Sequence, residues 1–437
     1  MEMASARSRP AARARQTSDQ IVAWAACLLV SALSLLLLVA VSSSFGAARL
    51  TGEISVLVRT TTTTTTTTAS DAVDDVAGVA AAEHCDVVDG KWVRDDDDER
   101  RPLYEPRRCP FVDEGFRCRE NGRPDDAFAK WRWQPRHCTL PRFDARNLLE
   151  KLRNRRLVFV GDSIGRNQWE SMLCMLATAV AVAGDKAAPI YEVNGSPITK
   201  HEGALSFRFR DYNCTVEHYR SPYLVRRGGR PPRRAPRRAV RSTLQLDAMD
   251  ARAHRWKDAD VVVFNTGHWW SRERLQQLRC YFQVGKKLSL NMSIEAAYQR
   301  AMNTLTSWVH REVNPHKSLV IFRTYSPAHT RASSSGGCAK ETTPELNSSR
   351  ISLHRWPGMV NPAFDPPRSG TPAAKLHVLN VTLMAAQRRD GHPSVYNVAA
   401  AARSPARQRA DCSHWCLPGV PDAWNELLYA MIVKRFS

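Results

Sequence analysis

No Cys-x-x-Cys pair occurs in the sequence, although its 437 residues include eleven cysteines. Zinc is ordinarily held on such tight pairs, so a zinc reading of these cysteines fails. Acidic residues are scarce, 43 against 63 Lys and Arg, which leaves a formal charge of +20. A surplus of that size can mark a nucleic-acid binder, but no recognition motif accompanies it. Much of it sits in one segment, where Arg226, Arg227, Arg230, Arg233, Arg234, Arg237, Arg238 and Arg241 lie among prolines and glycines. Runs of this kind are ordinarily solvated loops. Between Ser42 and Glu83 there is no hydrophobic periodicity, and Thr60 to Thr68 is unbroken threonine, so no packed structure is expected there.

The long apolar stretch is Ile21 to Val41, interrupted only by Ser31 and Ser34. It is long enough to cross a bilayer as a helix, for which about 20 residues suffice. Arg7, Arg9, Arg13 and Arg15 precede it and only Arg49 follows closely, which orients the N-terminus to the cytosol and the rest to the lumen. A cleaved signal peptide is the competing reading, but its apolar core is normally shorter, about 7–15 residues. The division expected is a tail at 1–20, an anchor at 21–41, a stem at 42–83, a Cys- and Trp-rich lobe at 84–141 and a catalytic domain at 142–437. Ten cysteines lie beyond the anchor, four of them between residues 85 and 138, where disulfides would stabilise a segment with little core of its own. Sequons at Asn213, Asn291, Asn347 and Asn380 fall on the same side of the anchor.

Beyond Arg142 short apolar runs alternate with helical patterns. Leu157–Val160, Val261–Phe264, Leu319–Phe322 and Leu376–Leu379 read as buried strands. Asn167–Val182, Leu275–Tyr281, Ile294–Val313 and Ala423–Lys434 read as helices, the first running until Gly184. Such alternation predicts an α/β fold of three layers around a parallel sheet. The stretch Leu157-Val-Phe-Val-Gly-Asp-Ser163 places a serine where a strand turns into a helix. A hydroxyl held there lies beside the unpaired N–H groups of the first helical turn, which can stabilise an oxyanion. Near the other end, Asp411 and His414 are three residues apart and offer a base with a carboxylate to orient it. The bland alternatives are a capped turn at Asp162–Ser163 and a structural Asp411–His414 pair.

Gly161-Asp162-Ser163 with Arg166-Asn167-Gln168, followed by Asp411-x-x-His414, resembles the plant trichome birefringence-like family of polysaccharide O-acetyltransferases, themselves similar to GDSL/SGNH esterases. Further fragments in the same order carry the resemblance from about Cys85 onward: Gly90-Lys-Trp-Val93, Cys109-Pro-Phe-Val112, Asn121-Gly-Arg-Pro-Asp125, Trp131-Arg-Trp-Gln-Pro135, Leu140-Pro-Arg-Phe-Asp144 and Asn265-Thr-Gly-His-Trp-Trp270. It implies an SGNH-like fold in which Ser163 attacks an acetyl carbonyl, His414 takes the proton and Asp411 fixes its tautomer. It implies disulfides Cys85–Cys138 and Cys109–Cys174, with Cys412 and Cys416 pinning the catalytic block and Cys118 and Cys338 also bonded. Gly161, Asp162 and Asn265 are candidates for the oxyanion site. The glycine that those esterases place in a further oxyanion block has no identifiable counterpart. Arg166 is expected to anchor the turn or touch substrate, and His268 and Trp269 to form an aromatic surface for a sugar, unless the aromatics are simply core and rim.

The activity implied is acetyl transfer in the Golgi lumen by a type II membrane protein, with xylosyl O-2 or O-3 of xylan the favoured acceptor. No metal or bound cofactor is implied, only a separate acetyl donor that the sequence does not identify. Pectin or another wall glycan as acceptor, hydrolysis of acetyl esters, and glycan binding without turnover are the rival readings. If the Arg226–Arg241 segment binds anything, acidic wall polysaccharide suits that compartment better than nucleic acid.

Overall fold

Three of the four apolar runs stay apolar at every position because both of their faces are covered. In the computed structural model they lie side by side as strands, and their side chains alternate between two cores. Leu157, Phe159, Val261, Val263, Leu319 and Ile321 enter one core, while Val158, Val160, Val262, Phe264, Val320 and Phe322 enter the other. The structure describes residues 86–95, 101–180, 189–198, 203–228, 242–278, 280–289, 291–330, 338, 340–353, 357–362, 364–367, 370, 372–399 and 410–437. The expected tail, anchor and stem, Gly184 and Cys85 lie outside them. Among the described residues no helix is long and apolar enough to cross a membrane.

In chain order the strands are β1 (Gly90–Arg94), β2 (Trp131–Pro135), β3 (Arg156–Gly161), β4 (Ile190–Glu192), β5 (Ala204–Phe209), β6 (Cys214–Arg220), β7 (Val225–Gly228), β8 (Ser242–Met249), β9 (Val261–Asn265), β10 (Cys280–Val284), β11 (Lys287–Ser289), β12 (Leu319–Arg323) and β13 (Leu376–Leu379). The helices that matter here are α1 (Ala145–Lys151), α2 (Ser163–Ala177), α3 (Ile294–Glu312), α4 (Thr382–Ala386) and α5 (Val420–Arg435). The main sheet runs β13-β12-β9-β3-β6-β5-β4. Five strands, β13 through β6, are mutually parallel; β5 and β4 complete the edge antiparallel.

The α1, α2 and α5 helices cover one face of this sheet, contributing Leu148, Leu149, Met172, Leu173, Leu427 and Leu428. The α3 helix covers the other with Ala297, Ala301, Leu305 and Val309. A second sheet, β11-β10-β8-β7, adds Leu244, Leu246 and Phe282 to that second core. The three-layer α/β arrangement is therefore present, but the sheet is mixed rather than parallel. The strand Ala204–Phe209 escapes a search for unbroken apolar runs because it alternates, with Leu205, Phe207 and Phe209 buried and the residues between them only partly so. The helix expected over Leu275–Tyr281 ends at Gln277, and Cys280 and Tyr281 pair instead with Ser242 and Thr243 of β8. The helix expected from Asn167 starts at Ser163 and ends at Ala177.

Most of the buried residues of the Cys- and Trp-rich segment join a core of the main fold, while Cys118, Phe128 and Ala129 form a small cluster of their own with Cys416 of the 411–416 loop. The segment's β1 and β2 pair with Trp92 opposite Trp133, and Trp92, Phe111, Phe116 and Trp133 join the core under α2. The Trp92 indole N–H donates to the Met384 carbonyl at 2.8 Å. Disulfides Cys109–Cys174 and Cys118–Cys416 tie the segment to α2 and to the 411–416 loop, across separations of 65 and 298 residues. Closing the shorter of these loops is worth about 4 kcal/mol in the chain-entropy account, which suits a segment with so little core of its own.

Candidate active site

The β3 strand ends at Gly161, and α2 begins two residues later at Ser163. Asp162 makes that abrupt change workable as an N-cap in extended conformation. Its Oδ1 accepts from the N–H of Ile164 at 3.0 Å and of Gly165 at 3.4 Å, and its carbonyl accepts from Arg166 at 3.2 Å. Among the described residues the N–H of Ser163 has no main-chain acceptor and stands at the open end of the helix. On the neighbouring strand, Asn265 closes β9 and its Nδ2 donates to the same Asp162 Oδ1 at 2.6 Å. This approach requires two glycines. A Cβ on Gly161 or Gly165 would sit 2.0 or 1.9 Å from Asn265 Oδ1. Burial pushes the Asp162 carboxyl up, but nearby His268 and Arg323 and the bonds from Asn265 and Ile164 outweigh it and hold it below its usual range.

The second half of the site comes from the 411–416 loop. Disulfides Cys338–Cys412 and Cys118–Cys416 pin it on both sides. Asp411 also makes a two-way backbone bridge with Ser394, at 2.8 and 3.0 Å. Asp411 Oδ1 accepts from the N–H groups of Ser413 and His414, at 3.0 and 3.1 Å. Its Oδ2 lies 2.7 Å from His414 Nδ1, and His414 Nε2 lies 2.7 Å from Ser163 Oγ. A carboxylate only accepts, so Nδ1 carries the hydrogen and Nε2 offers its lone pair to the Ser163 hydroxyl. Burial raises the Asp411 pKa, but the His414 ring and the two main-chain donors overcome this and hold it well below the ordinary value.

Two contacts lock this loop against α2 and the N-terminal segment. Asn167 Oδ1 accepts from the Trp415 N–H at 2.8 Å, and its Nδ2 donates to the Trp415 carbonyl at 3.1 Å. Phe116 lies with its ring 5.2 Å from the His414 imidazole. The three residues read from the sequence as nucleophile, base and orienter are thus brought into one hydrogen-bonded chain.

The remaining expected residues have other partners. Arg166 is turned away into an ion pair with Glu170 at 2.7 Å, with Asp113 at 3.5 Å and the Ile198 carbonyl at 2.7 Å as further partners. Burial raises Glu170 to about 7 in spite of that arginine. His268 donates from Nε2 to the Ser326 carbonyl at 2.7 Å and packs on Tyr325; burial lowers it to about 4. Trp269 is half-buried against Tyr223, with the guanidinium carbons of Arg220 and Arg274 within 5.5 Å of its ring, while Trp270 is core. Cys138 is disulfide-bonded, and Cys214 and Cys280 are free and buried. Asn213, Asn291 and Asn347 are exposed and Asn380 is half-buried. Arg226 and Arg227 lie on β7, whereas 229–241 lie outside the described residues. Among the described residues no group of three or more His, Cys, Asp or Glu could hold a metal ion.

The sequence reading passed over several residues that build this site. Gly165 was detectable in principle as a glycine in the first turn of a helix, where it is unfavourable without a local reason. Buried Arg323, His329 and His392 carry no signal of spacing; only the fold brings them under the site.

Comparison with known proteins places the chain in a family. Residues 140–431 match a family described as "GDSL/SGNH-like Acyl-Esterase family found in Pmr5 and Cas1p", and residues 83–139 match the "PMR5 N terminal Domain". The chain is 44% identical over 359 residues to trichome birefringence-like protein 7 of Arabidopsis thaliana, covering 82% of this chain and 76% of that one. It is 42% identical over 361 residues to trichome birefringence-like protein 9 of the same plant, covering 80% and 84%. A rice protein named "Probable xylan O-acetyltransferase 10" (Oryza sativa subsp. japonica) is 35% identical over 376 residues, covering 81% and 79%. The chain belongs to the GDSL/SGNH-like acyl-esterase family, among its trichome birefringence-like members.

Proposed function

We propose that this protein transfers acetyl groups to a plant cell-wall polysaccharide through an acetyl-Ser163 intermediate, with xylosyl residues of xylan as the favoured acceptor. The observation that carries the reading is the continuous chain from Ser163 Oγ through His414 to Asp411, with both links at 2.7 Å. The name of the rice relative supplies the choice of xylan.

In the first half-reaction the Ser163 hydroxyl gives its proton to His414 Nε2 as Oγ bonds to the acetyl carbonyl carbon of a donor. The oxyanion is met by the leftover Ser163 N–H and by the Asn265 Nδ2 hydrogen not given to Asp162. The tetrahedral centre collapses, and the donor's leaving group departs with the proton held on His414. In the second half a sugar hydroxyl yields its proton to His414 and attacks the acetyl carbon. Ser163 leaves and recovers that proton. Asp411 keeps Nδ1 protonated and stabilises the imidazolium in both halves. No residue is assigned to binding the donor, and the chemistry uses no metal.

Water in place of the sugar hydroxyl would give hydrolysis, which the family's esterase description keeps in view. Incubating the protein with an acetyl donor and a panel of wall oligosaccharides separates the two, because the product is either acetylated sugar or free acetate. Alanine at Ser163 or at His414 is expected to lower either activity by several orders of magnitude, since such residues act as a unit. Full turnover by both variants would reject the mechanism. The proposal extends to the site of action: Ile21–Val41 anchors the protein in the Golgi membrane, 42–83 is a stem, and Asn213, Asn291, Asn347 and Asn380 are luminal glycan acceptors. Glycosidase-sensitive mass on protein from plant membranes would support that placement.

A further inference from the structure

His329 and His392 meet inside the protein, ring nitrogen to ring nitrogen. His329 Nδ1 lies 2.6 Å from His392 Nε2. The other nitrogen of each ring faces a main-chain carbonyl: His329 Nε2 is 3.0 Å from the Ala386 oxygen, and His392 Nδ1 is 2.6 Å from the His414 oxygen. A carbonyl oxygen only accepts, so both of those nitrogens carry hydrogen, and a neutral imidazole has just one ring hydrogen to give. Two neutral rings would therefore spend both hydrogens on carbonyls. They would then face each other with bare lone pairs at a separation typical of a strong hydrogen bond.

We propose that His329 and His392 together hold one proton more than two neutral imidazoles, shared between His329 Nδ1 and His392 Nε2, and that this charged pair positions His414 through its carbonyl oxygen. The surroundings divide for and against that charge. The His392 ring stacks on Trp415 with centroids 4.1 Å apart and planes at 22°, an arrangement that favours a cation on the indole face. Asp411, on the loop, favours the charge on His392, and Asp390 favours it on His329. Asp390 is engaged by Arg388 at 2.8 Å and Asp411 by the His414 ring at 2.7 Å, so each carboxylate favours the charge while already paired elsewhere. Arg389 and a protonated His414 oppose the charge, and from the N-terminal segment Arg123 donates to the His392 carbonyl at 3.1 Å. Burial also opposes it, pulling His329 to about 4 and His392 well down. The shared hydrogen bond offsets that pull, because without its proton the contact is repulsive. His414 is then held at two points, its ring by Asp411 and its carbonyl by a charge-assisted donor. The consequence for catalysis rests on the function proposed above; the proton count does not.

Nitrogen NMR of the full chain, isotope-labelled at histidine and assigned with single variants at 329 and 392, counts the ring N–H groups of the pair. Three are expected, one of them strongly deshielded and protected from exchange; two would overturn the proposal. His329→Gln places a carboxamide that can donate to His392 Nε2 without charge, so it should abolish the extra proton and lower kcat by a smaller factor than the Phe variant, because His392 keeps its place but donates to the His414 carbonyl as a neutral ring. His329→Phe offers His392 nothing, and losing a buried hydrogen bond of that kind should lower kcat roughly tenfold with KM unchanged. Full kcat in His329→Phe would remove the positioning role even with three N–H groups present. If His329→Phe fails to fold, the wild-type count and the Gln variant still decide.

Discussion

The Asn167 carboxamide and the Trp415 peptide group hold each other at both ends, as two paired strands would. The acceptor bond is 2.8 Å and the donor bond 3.1 Å, and both groups are buried. This contact joins the helix that begins with Ser163 to the loop that carries His414, so it sets the register of one against the other.

Asn167→Ala should therefore lower kcat more than it changes KM, and destabilise the fold by about 1–3 kcal/mol through unpaired buried peptide groups. Asn167→Asp keeps the acceptor but turns a buried carboxylate oxygen on the Trp415 carbonyl, and should cost at least as much as Ala. Thermal unfolding with steady-state kinetics checks both. A fully active and stable Asn167→Ala would mean that the disulfides alone place the loop.

Replacing Gly165 by Ala reverses an ordinary rule. In a helix the change normally gains about 1 kcal/mol, but here the new Cβ would lie 1.9 Å from Asn265 Oδ1. Loss of both stability and activity is expected. The double variant Gly165→Ala, Asn265→Ala should recover stability without activity, because the clash is relieved while the Asn265 amide is gone. Additive effects of the two changes on stability would show that Asn265 and Gly165 do not press on each other.

Two buried carboxyls set a pH dependence of stability. Burial raises Glu170 from 4.5 to about 7 and Asp422 from 3.8 to about 6. As pH rises, each loses its proton earlier in the unfolded chain than in the fold, so stability falls between those unfolded and folded values. Asp411 works in the opposite direction: its lowered pKa stabilises the fold above its unfolded value and is lost in acid. A stability maximum on the acid side of neutrality follows. Glu170→Gln should flatten the decline toward pH 7, a change on the order of 1–3 kcal/mol given about 1.4 kcal/mol for each pKa unit. Parallel melting-temperature profiles for the variant and the wild type would contradict this.

What the sequence made legible follows from local physics. The runs at Leu157, Val261 and Leu319 could be read as strands because burial on two faces leaves no polar position. Ser163 could be placed because a strand, a capping aspartate and a helix are all local patterns. The strands Ala204–Phe209 and Ser242–Met249 were invisible because only part of each is buried, and Cys280–Val284 was absorbed into a helical pattern that Leu275 began. The two-histidine contact was out of reach for a different reason. Its members are 63 residues apart, and neither has a neighbour in sequence that announces a partner.

The central claim is that acetyl passes through Ser163, and peptide mass spectrometry after brief exposure to an acetyl donor tests it most directly. The account predicts one acetyl group on the peptide carrying Ser163, absent in Ser163→Ala and removed when xylo-oligosaccharide is added. Acetylated oligosaccharide formed at the wild-type rate by Ser163→Ala, with no acetyl ever found on that peptide, would contradict it.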